Sequence, residues 1–547
     1  MSPNRFGFYF FWLALSFLAA GCGRPAQNPQ IQHSIVATDE AAFGDTLVEG
    51  AIADAISLNP WVSNDSSSNR VQSMIYNGLI KFDQDLSYAP DLAESWNFSP
   101  DGLELTFKLK RNVKWHDGED FSSDDVVFSY SNQSFTVAQY VKTVEALDRY
   151  TVKVTYLKPY SPALQNYSLK IIPRHIFKNY DFHDNTEFNS HPIGTGPYKF
   201  KEWTSGEQVV LEANENYFEG RPFLDRYIFK VIPDSSMAFL ALLRQDLDIL
   251  RITPDQYVKQ ADSDEFKKYF LLYRCPSPAS FCTIGYNEKE AIFQDRRVRQ
   301  ALTMAIDRQE LIKNIFYGFA ETLDGPWVKT NWAYDNSIVP LPYSPDKARQ
   351  LMGEAGWVDK DNDSVLERDG KKFEVKITAL NGEKIHELLA KAAIDFWSRI
   401  GVRAKLELVD GKTLKELCFL GTFDALIGQW GTYDPDLYYF FHRWEIPEPE
   451  KNKNGKNFVA YSNTLEVDAL IQAARTTMEV KARIELYHKL QAVIYRDQPY
   501  TFLCAPDVLY AANSRIHGLK VSPAGIFCNT CKLNVPKDLQ KYRSQTY

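Results

Sequence analysis

The clearest chemical signal in this sequence is Cys22, which ends an apolar leader. Arg5 precedes an apolar run at residues 6–20, and the letters LAAGC occupy residues 18–22. A leucine, small residues and a cysteine after such a run form the bacterial lipobox, in which the thiol accepts diacylglycerol. Because the run has about 15 residues and a membrane-spanning helix needs about 20, we expect a cleaved export signal and not an uncleaved anchor. The body would then work outside the cytoplasm, tethered by acyl chains.

The sequence has seven cysteines, of which Cys22 is used by the lipid. Cys275 and Cys282 flank a turn-forming Pro-Ser-Pro segment, and Cys528 and Cys531 form a CxxC. No second CxxC and no nearby histidine accompany the latter, so neither redox catalysis nor zinc binding is indicated. In an oxidising compartment these four cysteines are disulfide candidates, with free thiols as the alternative. The connectivity stays open, because six cysteines can pair in many ways.

Several patterns that could bind a metal or a nucleotide are incomplete. Asp359, Asp361 and Asp363 begin like a calcium loop, but serine and glycine stand where an EF-hand needs glycine and glutamate. His386 is followed by glutamate, but the second histidine of a zincin motif is replaced by alanine. The glycines at residues 194–196 lack the third glycine of a dinucleotide loop, and GxSxG is absent from the sequence. We therefore predict an acidic turn, with adventitious calcium as the alternative, and no cofactor, no metal centre and no enzymatic activity.

Size and charge restrict the class of protein further. The 547 residues carry a formal net charge of −8, and removal of the leader with Arg5 makes it −9. Such an acidic balance opposes nucleic acid as a partner. The chain is too long for one core, so we expect two or three lobes. It is rich in Trp, Tyr and Phe, most of which fill cores, while others can line a ligand site.

Strand and helix patterns alternate along the chain. Apolar residues alternate with polar ones at 103–109, which predicts a half-buried strand, and another strand is predicted at 402–409. Helical periodicity predicts helices at 298–306, at 385–400 and at 480–495. This interleaving indicates an α/β protein with mixed sheets.

The sequence also contains a series of short motifs, which occur one after another along the chain. Between residues 91 and 130 they are LAESW (92–96), SPDG (99–102), FKL (107–109), VKWHDG (113–118) and DDVVFS (124–129). Further along they are GTGPY (194–198), NENY (214–217), GRP (220–222), DRRVRQAL (295–302), AIDR (305–308), YSPDKA (343–348) and GW (356–357). The chain resembles the family 5 extracellular solute-binding proteins, the peptide- and nickel-binding receptors of ABC importers. The resemblance covers nearly the whole exported part.

This resemblance implies a two-lobed periplasmic-binding-protein fold of the large peptide-binding type, with an extra subdomain on the N-terminal lobe. The chain would cross between the lobes near 275–286 and near 501–510, and the lobes would close on the ligand by a hinge motion. The implied boundaries are a signal peptide at 1–21, a tether at 22–32, lobe I at 33–75, 190–280 and 505–547, the extra subdomain at 76–189, and lobe II at 281–504.

The resemblance also indicates a ligand segment, which follows the apolar strand at 423–427. Trp430, Gly431, Thr432, Tyr433 and Asp434 occupy it. In peptide-binding relatives this segment holds a carboxylate that pairs with the α-amine of the peptide. Here the segment looks about two residues shorter than theirs, and Thr432 lies nearest the usual acid. Asp434 replaces that acid, or the ligand lacks an amine, or Asp434 caps a turn. Weaker ligand candidates in other parts of the chain are Asn59, Tyr76, Tyr286, Asn287 and Trp327.

We therefore expect an extracytoplasmic substrate-binding lipoprotein that captures peptides for an ABC importer. Its partners would be a peptide or other small solute, a permease pair with ATPase subunits, and the membrane through the lipid. We expect a monomer at the periplasmic face of the inner membrane in a Gram-negative cell. The alternatives are the same receptor class with a metal chelate, an opine or an oligosaccharide as ligand, a secreted hydrolase, and a lipoprotein that senses or assembles.

Overall fold

A computed structural model describes residues 41–63, 65–132, 140–177, 186–431 and 457–542. Its strands are β1 (Thr46–Ala51), β2 (Ile80–Phe82), β3 (Tyr88–Pro90), β4 (Ala93–Phe98), β5 (Glu104–Leu109), β6 (Val141–Asp148), β7 (Thr151–Tyr156), β8 (Tyr198–Thr204), β9 (Gln208–Ala213), β10 (Arg226–Val231), β11 (Ile249–Arg251), β12 (Phe270–Cys275), β13 (Ser280–Tyr286), β14 (Ala320–Thr322), β15 (Glu367–Arg368), β16 (Lys371–Lys372), β17 (Glu374–Leu380), β18 (Arg403–Val409), β19 (Ala425–Gly431), β20 (Tyr500–Pro506) and β21 (Val508–Asn513).

Helices interleave with these strands along the whole chain. They are α1 (Ser66–Ile75), α2 (Ser123–Asn132), α3 (Ala163–Asn166), α4 (Arg174–Phe177), α5 (Thr186–Ser190), α6 (Ser235–Leu243), α7 (Asp264–Tyr269), α8 (Arg296–Met304), α9 (Arg308–Phe316), α10 (Pro345–Glu354), α11 (Lys384–Ser398), α12 (Gly411–Leu420), α13 (Thr464–Thr476) and α14 (Val480–Asp497). In the part of the chain described, no helix is both long and apolar enough to span a bilayer.

The first lobe is built on a seven-stranded mixed sheet with the order β12-β21-β11-β1-β10-β9-β8. Its central strand β1 runs parallel to β10 and to β11. Successive residues of β1 enter different cores, Leu47 on one face and Val48 on the other. Both faces of the sheet are therefore covered, as is usual where parallel strands form its centre.

The second lobe is built on a six-stranded mixed sheet with the order β14-β20-β13-β19-β17-β18. Ala425 and Ile427 of β19 pack into one core and Leu426 packs into the other, so this sheet is also covered on both faces. A third sheet, β4-β5-β7-β6, is antiparallel and forms the extra subdomain. Its strand β5 buries Leu105, Phe107 and Leu109 in a separate core, as the alternating sequence predicts. The exact lobe boundaries stay a prediction.

The predicted helices are present, with one correction. The helix predicted at 385–400 is α11, which Gly401 follows with a positive φ, and that at 480–495 is α14. The helix predicted at 298–306 is α8, but it ends at Met304, so Ala305 and Ile306 lie beyond it; Asp307 then caps α9 by accepting a hydrogen bond from the Glu310 N–H. The strands predicted at 103–109 and at 402–409 are β5 and β18.

A buried ion cluster fastens the ends of the chain to the first lobe. The Arg515 guanidinium lies 2.5 Å from Asp45 and 2.7 Å from Asp248, and all three side chains are buried. Asp45 precedes β1 and Asp248 precedes β11, while Arg515 follows β21. Asp45 also accepts backbone hydrogen bonds from Lys541 and Tyr542 near the C-terminus. One arginine therefore joins three strands of the sheet.

The extra subdomain meets the first lobe at the loop of residues 194–196. The backbone here lies so close to α1 that a Cβ on Gly194 would stand 1.9 Å from the Ile75 carbonyl oxygen. His116 of the subdomain binds this loop with both ring nitrogens: Nε2 lies 3.0 Å from the Gly196 oxygen, and Nδ1 accepts the Gly194 N–H at 3.2 Å. Burial is the main cause that lowers the pKa of His116 to about 4. If Nδ1 were protonated, its N–H would face the Gly194 N–H, and two hydrogen-bond donors would stand opposite each other without an acceptor.

Replacement of Arg515 by methionine should destabilise the protein strongly. It leaves Asp45 and Asp248 as buried carboxylates without their cation, which costs about 3–5 kcal/mol of unfolding free energy. Urea unfolding followed by circular dichroism measures this. The control is Arg349→Ala, which removes an exposed ion pair with Asp346 and should cost less than about 1 kcal/mol. Equal losses in the two variants would contradict the structural role of the cluster.

Acidification should weaken the fold through His116. Since its pKa is about 4 in the folded protein and 6.5 as the reference value, the unfolded chain binds the proton more tightly. The neutral ring therefore contributes stability above pH 6.5 that is lost as the pH falls towards 4, about 3 kcal/mol in all. Unfolding free energies measured across this range should depend less on pH in His116→Gln than in the wild type. The control is His191→Gln, at an exposed histidine, which should keep the pH dependence of the wild-type unfolding free energy. If the unfolding free energy of His116→Gln changes with pH in parallel with that of the wild type, His116 does not have this role.

Candidate ligand-binding site

The two sheets are joined where the chain passes twice between them. Cys275 ends β12 opposite Val508 of β21 in the first lobe, and Ser280 begins β13 in the second. Residues 276–279 connect β12 to β13, and Asp507 alone connects β20 to β21. The Ser277 hydroxyl accepts the Ser280 N–H and donates to the Ser280 carbonyl, which makes the first connection a tight turn.

The predicted ligand segment begins at this connection. Gly431 ends β19 opposite Ser280, and Trp430 faces Phe281. A Cβ on Gly431 would lie 2.9 Å from the Ala279 carbonyl oxygen, so a glycine permits β19 to approach the connection this closely. The end of β19 therefore lies beside the point where the lobes join.

Trp430 forms an aromatic wall at this strand end. Its ring stacks on Phe458 with centroids 5.2 Å apart and an interplanar angle of 15°. The indole also lies across Gly428, where an added Cβ would be 3.1 Å away. Trp430 is half-buried, and the neighbouring Gln429 is exposed and donates from Nε2 to the Ser280 hydroxyl at 2.6 Å. The strand end thus offers an aromatic face next to polar groups, as ligand sites commonly do.

The remaining members of the predicted segment, Thr432, Tyr433 and Asp434, lie outside the described residues, as does Cys22.

The five weaker ligand candidates are placed in cores and not on an accessible surface. Asn59, Tyr76, Tyr286, Asn287 and Trp327 each expose 1% of their surface or less. The polar groups bind within the protein: the Tyr76 hydroxyl donates to the Leu58 carbonyl, the Tyr286 hydroxyl lies 2.6 Å from the Thr501 hydroxyl, and the Asn287 amide donates to two carbonyls. Burial raises the pKa of Tyr286. These contacts are those of structural residues, and a role of the five in ligand binding stays a prediction.

A set of contacts between the lobes was not foreseen from the sequence. Arg274 of β12 pairs with Asp507 in the second connection, and its guanidinium also lies over the Phe319 ring of the second lobe. Burial raises the pKa of Asp507, and Arg274 opposes this by favouring the carboxylate. Close by, the Tyr317 hydroxyl donates to Asp255 at 2.8 Å. These contacts fix the joined side of the two lobes.

The extra subdomain touches the second lobe at a separate place. The Ser161 N–H donates to the Arg475 carbonyl at 2.7 Å, and the Arg475 guanidinium donates to the Tyr140 hydroxyl at 3.1 Å. Arg483 donates to the Ser161 carbonyl. The partners are more than 300 residues apart in the chain, so no local pattern could reveal these contacts.

The acidic turn predicted at Asp359, Asp361 and Asp363 is present, and its carboxylate oxygens lie within 4.8 Å of one another. The Lys372 ammonium lies 2.6 Å from Asp361 and 3.0 Å from Asp363. This cation offsets part of the negative charge of the turn from within the protein.

The four disulfide candidates carry free thiols in this structure. Cys275 belongs to the sheet of the first lobe and Cys282 to that of the second. Cys528 is exposed, and Cys531 is half-buried at a 3₁₀ turn, Thr530–Lys532. The local pairs suggested by sequence proximity are therefore not bonded here.

Comparison with known proteins identifies the family. The sequence model described as bacterial extracellular solute-binding proteins, family 5 middle, matches residues 87–452. The oligopeptide-binding protein AppA of Bacillus subtilis is 34% identical over 93% of this chain and 94% of its own length. Its structure in complex with a nonapeptide superimposes with a TM-score of 0.79, at 33% identity over 91% of this chain and all of that one. NikZ of Campylobacter jejuni, solved with Ni(L-His), gives a TM-score of 0.79 at 30% identity over 90% of this chain and 99% of its own.

These structures confirm the predicted two-lobed α/β fold, and the relatives are binding proteins and not enzymes. The chain belongs to the family 5 bacterial extracellular solute-binding proteins.

Proposed function

We propose that this protein captures peptides outside the cytoplasm and delivers them to an ABC importer. The observation that carries the proposal is the 34% identity over nearly the whole chain to an oligopeptide-binding protein, together with a half-buried Trp430 at the strand end beside the lobe connection. An extended peptide between the lobes would be held by its backbone, while wet pockets accept varied side chains. Closure of the lobes would then present the loaded form to a permease pair with its ATPase subunits.

A metal chelate is the second candidate ligand. It is favoured by the similarity to NikZ, whose structure contains nickel with L-histidine. The two candidates differ in one chemical respect, since a peptide brings a free α-amine that needs a carboxylate partner. In this chain Asp434 is the proposed partner, and Trp430, Gly431, Thr432 and Tyr433 are the proposed neighbours of the ligand. Mass spectrometry of ligand released from the purified, denatured protein separates the candidates.

The proposed place of action is the outer face of the cytoplasmic membrane. Cys22 would carry the lipid, the residues up to 32 would form a tether, and the two lobes would act as a monomer. The family assignment supports an extracytoplasmic location, and the lipobox supports the anchor.

Loss of the charge at Asp434 should weaken the binding of free-amine peptides. Asp434→Asn preserves size and turn capping, and removal of a buried charge partner costs about 2–5 kcal/mol of binding free energy. N-acetylated peptides should then bind the variant little more weakly than free ones. Isothermal titration with both kinds of peptide measures this. Equal affinity of the wild type and Asp434→Asn for a free-amine peptide would eliminate the proposed anchor.

Removal of the aromatic wall should act on all ligands alike. Trp430→Ala removes the ring that stacks on Phe458, so free and acetylated peptides should lose affinity by the same factor, unlike in Asp434→Asn. Trp332→Ala is the matched control, because Trp332 is an exposed tryptophan of the same lobe that packs edge-on against Tyr487. Isothermal titration of both variants measures this. If Trp430→Ala binds peptides as tightly as Trp332→Ala and the wild type do, Trp430 is not part of the site.

Acylation should depend on Cys22. In Cys22→Ser the thiol that accepts diacylglycerol is missing, so the protein should leave the detergent phase in a Triton X-114 partition, whereas Cys418→Ser should stay in it. Retention of the Cys22→Ser protein in the detergent phase would show that the leader is an uncleaved anchor.

A further inference from the structure

Two cysteines that are distant in the chain face each other in the second lobe. Cys282 of β13 and Cys504 of β20 are direct partners in an antiparallel pair. Such partners have Cα atoms about 4.5–5.5 Å apart, and a disulfide spans about 4.4–6.8 Å between Cα atoms. The pairing of the two strands therefore brings the two cysteines into the distance range that a disulfide needs.

A β-bulge brings the two cysteines into register. Thr283 faces Phe502, whereas Cys282 faces Cys504, so Leu503 is an extra residue in β20. Without this bulge Leu503 would stand opposite Cys282. A bulge re-aims the side chains that follow it, and here both cysteines pack into the same core on one face of the sheet.

The two thiols are in contact and are shielded from solvent. Cys282 exposes 0% of its surface and Cys504 exposes 1%. The neighbouring thiol of Cys282, together with burial, raises the pKa of Cys504 well above its usual value. A buried thiol with a raised pKa is a poor nucleophile, so oxidation in the folded protein would be slow.

We propose that Cys282 and Cys504 form a structural disulfide when the exported chain folds. A thiolate of the pair attacks an external disulfide, either that of a thiol oxidoreductase or oxidised glutathione, and gives a mixed disulfide. The second cysteine then displaces the external thiol. One S–S bond forms in the protein, the external disulfide is reduced to two thiols, and the two protons of the cysteines are transferred with the electron pair. The extracellular family to which the chain belongs works where such exchange takes place.

The position of this bond defines its effect. β13 is the first strand of the second lobe and β20 is its last strand, so the bond closes nearly the whole lobe into one covalent loop. Both cysteines belong to the same sheet, so the bond leaves the connection between the lobes free to move. A bond between Cys275 and Cys282 would instead join the two sheets across residues 276–279. The proposed disulfide should therefore change stability and leave ligand affinity unchanged.

Peptide mapping of the wild-type protein is the direct test. Protein exported into the native envelope is alkylated under denaturing conditions, digested without reductant and analysed by mass spectrometry. The proposal predicts one linked pair of peptides that contain Cys282 and Cys504, and it predicts alkylated Cys418. Alkylation of both Cys282 and Cys504, or a link from either one to another cysteine, overturns it.

Thermal unfolding with and without reductant tests the effect. Unfolding and refolding in dithiothreitol should lower the melting temperature of the wild type by roughly 5–10 °C, because the unfolded chain regains the entropy of the open loop. Cys282→Ala/Cys504→Ala should show no response to reductant, whereas Cys418→Ala, at a buried cysteine of the same lobe, should respond like the wild type. A wild type that is indifferent to reductant, or a Cys282→Ala/Cys504→Ala protein that still responds, contradicts the proposal.

Discussion

The fold depends on the chain passing twice, side by side, between two sheets. β12 and β21 are hydrogen-bonded in the first lobe, and their continuations β13 and β20 are hydrogen-bonded in the second. The links between them are four residues and one residue long, so the sheets cannot separate, yet they can change their mutual angle by rotation in those links. The Arg274–Asp507 ion pair connects the two crossing segments at this place. Every other contact between the lobes has to be compatible with this hinge.

The remaining interactions divide into those that hold each lobe together and those that join the lobes. Within the first lobe the buried Arg515 cluster and the two cores make a rigid body, and breaking the cluster would leave charges without partners. The contacts of Ser161 and Tyr140 with α13 and α14 are hydrogen bonds of a different kind. The backbone bond is worth about 1 kcal/mol and the bonds from the two arginines about 1.5–3 kcal/mol, and each can be exchanged for bonds to water. Such contacts suit the proposed opening and closing of the lobes.

Much of the fold could be predicted from local pattern, and the exceptions have physical causes. The apolar stripe of α11 and the alternation of β5 are properties of short segments, so the sequence displays them directly. The end of α8 at Met304 was missed because Ala305 and Ile306 continue its apolar face, although Asp307 caps the next helix. The connections between the lobes could be predicted only through the family resemblance. The contacts that form the junctions join residues hundreds of positions apart, so no local pattern reveals them.

The candidate site was predicted less well than the fold. Trp430 was predicted through the resemblance and its place after an apolar stretch, and the structure puts it near the end of β19, beside the lobe connection; its contact with a ligand stays a prediction. Aromatic and amide side chains such as Tyr286 and Asn287 look the same in a sequence whether they face a ligand or bind backbone carbonyls in a core. The facing of Cys282 and Cys504 depends on a bulge, which has no sequence signature here.

Small-angle X-ray scattering with a titrated ligand tests the central claim, that two lobes close on a solute about this hinge. The protein is freed of ligand by unfolding and refolding, and scattering is recorded without ligand and with a saturating mixture of random-sequence nonapeptides. The account predicts that the radius of gyration decreases as the peptide binds and returns when it is removed. Peptide binding that leaves the radius of gyration unchanged would contradict it.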